Sequence, residues 1–126
     1  MLSKMEATHF NLDLTNLVAV TNGDPGFIRE ILELIEQQSP PTRELMNNSY
    51  EVGDYKTLGA AAHKFKSSVA YLGNEKLVEL TKRIELTATQ TQDKQELFQL
   101  MAEFHAIYGE LMSRIGQELD RLRKQD

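Results

Sequence analysis

Leu97, Met101, Phe104, Tyr108, Leu111, Ile115, Leu119 and Leu122 follow one another at intervals of three or four residues. Only an α-helix puts such positions on one face. A stripe this long commits the C-terminal part of the chain to one helix, about 93–123. At about 1.5 Å per residue that helix is about 40 Å long. Arg121, Arg123 and Lys124 close it with cations, which suit the negative end of a helix dipole.

The same period recurs upstream. Leu58, Ala62, Phe65, Val69 and Leu72 are spaced by four, three, four and three residues, the seam of a bundle helix. Asp54 is placed to cap its start and Gly73 to end it, so this helix spans about 54–72. Asp24-Pro25 reads as a cap followed by proline at the first helical position. Phe27, Ile28, Ile31, Leu32 and Ile35 then share one face. Ser39-Pro40-Pro41 removes two amide donors from that helix. Either Ser39 caps a fresh helix through Met46, or one helix continues with a kink; both fit the pattern. Asn74 caps a further helix bearing Leu77, Leu80 and Ile84. Thr87 to Gln92 is polar and reads as a loop, with Thr91 or Asp93 near the next cap. A short helix around Leu12 to Val20 ends at the turn signal Thr21-Asn22-Gly23.

No segment alternates with period two, and there is no internal repeat. The expected fold is all-α: an antiparallel up-down four-helix bundle with a short extra N-terminal helix over one end. The 126 residues suit a single domain, 1–126, with 1–10 a flexible lead-in.

Composition narrows the function. There is no cysteine, which removes disulfides, thiolate metal sites and cysteine nucleophiles. The net charge of −5, with signs interspersed, argues against nucleic acid and anionic membranes as partners. No apolar run reaches the roughly 20 residues of a membrane span, and the N-terminus lacks a signal-peptide core. A cytoplasmic protein is expected.

The informative stripe lies beside the 54–72 seam. Gly59, Ala60, Lys66, Ser67 and Ala70 are related to His63 by steps of three, four and seven, so they surround it on the helix. His63 stands about 100° around from Ala62, at the core edge or in solvent. Small neighbours let a second protein bring a group up to the imidazole. Lys66 adds a positive charge suited to a phosphoryl group. A neutral imidazole has a nucleophilic nitrogen. The bland alternative is a merely exposed histidine, a solvated lysine and small residues for close helix packing. His9 reads as a tail residue and His105 as a boundary residue of the last helix. The histidines show no metal-ligand spacing.

The run Ala62-His63-Lys64-Phe65-Lys66-Ser67-Ser68-Val69-Ala70-Tyr71-Leu72-Gly73 resembles the signature of the histidine phosphotransfer (HPt) family of two-component phosphorelays. That signature has an acceptor histidine, an apolar residue two later, a lysine three later, small residues at four and five, and a glycine ten later. Leu77, Leu80, Ile84 and Glu85 are similar to the family's next helix. Asp24 to Ile28 and Gly53-Asp54 resemble its preceding helix start and inter-helix turn. The resemblance covers residues 11 to 90, and the last helix fits by length and pattern. Ser67 departs from it, since the family usually has glycine there, where the partner comes closest.

The resemblance implies a phosphocarrier without kinase activity. Nε2 of His63 would take a phosphoryl group from an aspartate of a receiver domain and return it to another. Lys66 would stabilise the transferred group, and Gly59, Ala60, Ser67 and Ala70 would meet the partner. Glu85 would orient the imidazole or its water, and Gly73 would be structural. The partners would be receiver domains of response regulators or hybrid histidine kinases. No cofactor of its own is implied; Mg²⁺ would sit on the receiver. A free-standing monomer is expected. The chain contains no G-x-x-x-x-G-K nucleotide loop. Two rival readings are a helical interaction module that docks a signalling partner through the same face without phosphate, and a metal-dependent bundle hydrolase.

Overall fold

In the computed structural model, residues 12–125 are described, and they hold five α-helices and no strand. The expected flexible lead-in at 1–10, and His9 within it, lie outside these residues. The helices are α1 (Thr15–Val20), α2 (Pro25–Val52), α3 (Tyr55–Val69), α4 (Glu75–Leu86) and α5 (Lys94–Lys124). A 3₁₀ turn, Ala70–Leu72, extends α3, and a π-helical turn, Thr87–Thr91, extends α4.

Local chemistry sets the boundaries. Asp24, Asp54, Asn74 and Asp93 each accept backbone amides of the helix that follows. Gly53 (φ 78°) and Gly73 (φ 72°) take the left-handed conformation that ends the preceding element. At Gly73 the requirement is double. A Cβ there would also lie 2.5 Å from Cβ of Asp13, whose segment crosses over it. The Asp13 amide donates to the Leu72 carbonyl at 3.0 Å.

Pro40 and Pro41 do not break α2, which runs unbroken for 28 residues. Both prolines are exposed, whereas Ser39 and Thr42 beside them are buried. The carbonyls deprived of amides therefore lie toward the solvent side, where water can serve them. The polar stretch expected as a loop, Thr87 to Gln92, is instead mostly helical. Thr87 and Ala88 are buried, and packing holds the chain in a widened turn. Gln92 then leaves it at φ 56°, its amide donating to the Thr87 carbonyl at 2.6 Å.

Helices α2 to α5 form a closed ring: α2 packs on α3, α3 on α4, α4 on α5 and α5 on α2. Short turns join α2 to α3 and α3 to α4, so these neighbours run antiparallel. Both apolar stripes face inward. Phe65 of α3 meets Phe104 of α5 edge-to-face across the centre, with ring centroids 5.1 Å apart. Leu58, Leu77, Ile84, Leu97, Leu111 and Ile115 fill the levels around them. Helix α1 buries Leu17 and packs on the 3₁₀ turn after α3, covering one end.

Candidate functional site

The α3 seam buries Leu58, Ala62, Phe65 and Val69 and turns the opposite side outward. His63, Ala60, Ser67 and Ala70 are exposed there, and Lys66 is half-buried. The His63 side chain keeps 58% of its surface open, so a second molecule can reach the ring.

Gly59 requires correction. Expected on the partner-facing surface, it is buried against the π-helical turn. A Cβ at Gly59 would come within 2.5 Å of Cγ2 of Thr89 and 3.6 Å of the Glu85 carbonyl. Its lack of a side chain lets α3 and α4 approach, which removes it from the exposed face.

Glu85, in the last turn of α4, reaches across to α3. His63 Nδ1 lies 3.2 Å from its carboxylate, and Lys66 Nζ lies 3.5 Å from Oε1. One carboxylate thus serves two side chains a helical turn apart. An acceptor at Nδ1 favours the tautomer with the proton on that nitrogen. The lone pair then sits on Nε2, the far side of an exposed ring. Lys66 offsets the charge of Glu85, so the group near the imidazole is a balanced cluster rather than a bare anion. The Ser67 hydroxyl donates to the His63 carbonyl at 3.1 Å, a bond within its own helix turn. A nucleophilic nitrogen, an oriented ring and an ammonium one turn away are suited to carrying phosphate on nitrogen.

The Hpt domain family model matches residues 30–125, from the second turn of α2 to the end of α5. The chain belongs to the Hpt domain family. Hpt domains are phosphocarriers of two-component phosphorelays and not kinases. No curated protein and no solved structure matches the chain. The family match takes in the last helix, which the sequence motifs alone do not reach. Among the described residues, no helix of this Hpt domain is long and apolar enough to cross a membrane.

Sequence reasoning missed one cluster. Arg43 of α2 donates from Nε to Nδ1 of His105 at 3.3 Å and lies 4.9 Å above the Tyr108 ring. Burial, and then the Arg43 charge, hold the His105 imidazole below its ordinary pKa. Burial raises the Tyr108 phenol. Nothing in the spacing of either helix signals this pairing, because it depends on how α2 and α5 pack. It ties those two helices together away from Glu85 and His63.

Proposed function

We propose that this Hpt domain relays a phosphoryl group between His63 and aspartates of receiver domains in the cytoplasm. The observation that carries the reading is the Nδ1–Glu85 hydrogen bond on an exposed ring. Nε2 attacks the phosphorus of an aspartyl phosphate in line. A nitrogen–phosphorus bond forms, the acyl phosphate bond breaks, and the aspartate leaves as a carboxylate. The imidazole becomes cationic while Nδ1 keeps its proton, and Glu85 stabilises that charge. Lys66 pairs with the phosphoryl oxygens, which gain a cation as Glu85 turns toward the ring. Return to a second receiver reverses each step. The Mg²⁺ that assists transfer is held by the receiver.

Ala60, Ser67 and Ala70 form the uncrowded surface that meets the receiver. Their short side chains leave the approach to Nε2 open.

The test is a transfer assay with the full chain. Mg-ATP alone leaves the protein unlabelled, and a phosphorylated receiver labels it with an acid-labile, base-stable phosphate. The His63→Gln variant stays unlabelled. Labelling of that variant, or labelling of the native chain by Mg-ATP alone, would refute the assignment.

A further inference from the structure

The chain carries 19 acidic residues, yet none falls between Tyr55 and Asn74, the stretch that holds α3 and its 3₁₀ extension. The same stretch holds Lys56, Lys64 and Lys66. Lys66 is taken by Glu85. Lys56 and Lys64 are exposed, and neither is ion-paired among the described residues. Asp54 lies near Lys56, but both of its carboxylate oxygens already accept hydrogen bonds from Thr57. Scattered exposed lysines are ordinary on a solvated face. Two that stand on an acid-free helix, in a molecule of net charge −5, reverse the sign of the surface locally.

The two lysines frame the approach to His63. Lys56, Ala60 and Lys64 follow one another at intervals of four, and Ser67 comes three later. On a helix these residues are neighbours along one side. His63 stands seven residues after Lys56, which brings it within about 20° of the same line. Lys56 and Lys64 lie about 12 Å apart along the axis, with the short side chain of Ala60 between them. Beyond Ser67 the sign changes. Ala70 lines an open hollow with Asp13, Glu75 and Glu79. The surface around His63 is therefore polarised along α3, cationic toward the start of the helix and acidic past its end.

We propose that Lys56 and Lys64 select receivers whose rim beside the phosphorylated aspartate is acidic, and that they turn that rim toward the start of α3. The proposal rests on the phosphotransfer reading above. The net charge of the chain repels an acidic partner at a distance, so approach is favourable only where the local sign is reversed. A receiver arriving the other way round sets its acids against Asp13, Glu75 and Glu79. Lys66 does not serve this purpose, because Glu85 offsets its charge until phosphate arrives. Lys56 and Lys64 thus act on encounter and orientation, and Lys66 acts on the transferred group.

A panel of purified receiver domains, phosphorylated with acetyl phosphate and differing in the charge of that rim, tests it. The second-order rate constant for labelling the full chain is measured at low and high salt, with circular dichroism to confirm that the variant folds. Receivers with an acidic rim should label the native chain about thirtyfold faster at about 0.01 M salt than at about 0.5 M. With them the double variant K56E/K64E should be about a hundredfold slower than native at low salt and within about threefold of native at high salt. With receivers whose rim is basic, the same variant should be faster than native at low salt. A damaged fold would slow both classes and does not produce such a crossover. Native rates for the double variant with acidic-rim receivers, or equal slowing with both classes, would overturn the proposal and leave phosphotransfer by His63 standing. Failure of every receiver to label the native chain would overturn both.

Discussion

A histidine carries phosphate usefully only if the correct nitrogen is available. In this Hpt domain the Glu85 carboxylate lies 3.2 Å from Nδ1 of His63, which favours a proton on that nitrogen, and Lys66 pairs with the same carboxylate. Replacing Glu85 with alanine removes the tautomer bias and the counter-charge of the phosphoimidazolium. Transfer from a receiver should slow by about tenfold, roughly 1.4 kcal/mol of barrier. Lys66→Ala should slow it to a similar degree. Both variants should unfold within about 0.5 kcal/mol of native in urea, because a partly exposed ion pair contributes little to stability. An unchanged transfer rate in either variant removes that residue from the mechanism. His63 was legible in the sequence because its angle from the seam follows from the helical period alone. Its Glu85 partner was legible only through family resemblance, because its reach depends on how α4 lies against α3. Gly59 was misread for the same reason. Four residues before His63, it looks like part of the same surface, yet the end of α4 covers it.

Elements carry the second lesson, in the turn that extends α4. A run of threonine and glutamine signals a loop when judged by polarity. Here Thr89 donates its hydroxyl to the Glu85 carbonyl at 2.8 Å, and the buried pair Thr87 and Ala88 seals the turn to the bundle. Gly59 is the space in which that turn fits. Alanine at Gly59 gains about 1 kcal/mol of helix propensity but forces Cβ against the Thr89 methyl. Gly59→Ala should lose about 1 kcal/mol net in denaturant unfolding. Adding Thr89→Ser removes the methyl and keeps the hydroxyl, so G59A/T89S should match or exceed native stability. A single variant more stable than native would contradict the packing described. The helix starts, by contrast, were legible in detail. Asp24, Asp54 and Asn74 stand out in the sequence as caps, and Asp93 as one of two candidates beside Thr91, because a cap is a local hydrogen bond. The fate of Pro40-Pro41 was not, since it depends on which side of α2 faces water.

At the scale of the whole molecule, pH reports on local caps and on one contact between helices. The Asp54 carboxylate accepts the Thr57 hydroxyl and amide, and these bonds hold its pKa below the ordinary value of 3.8. Asp13, bonded to Thr15, is lowered in the same way. The unfolded chain therefore takes up these protons first as pH falls. The stability they supply is present above about pH 3.8 and is lost as pH drops through the lower folded values. Asp54→Asn should flatten the acid limb of a stability–pH curve, and an unaltered limb would count against the cap. His105 acts at a higher pH with the same sign. Its lowered pKa favours the neutral ring in the fold, so stability declines as pH falls below about 6.5. His105→Gln should remove that decline. The four-helix ring itself was legible from four apolar faces and the turn signals between them. The Arg43–His105 contact between α2 and α5 was not, because no local period encodes it.

The central claim is that His63 carries the phosphoryl group on the nitrogen turned away from Glu85. Nitrogen-15 NMR of the imidazoles, recorded after phosphorylation by a receiver, tests it directly. The account predicts phosphorus coupling at Nε2 of His63 and none at His9 or His105. Coupling at Nδ1 of His63, or at either other histidine, would contradict it.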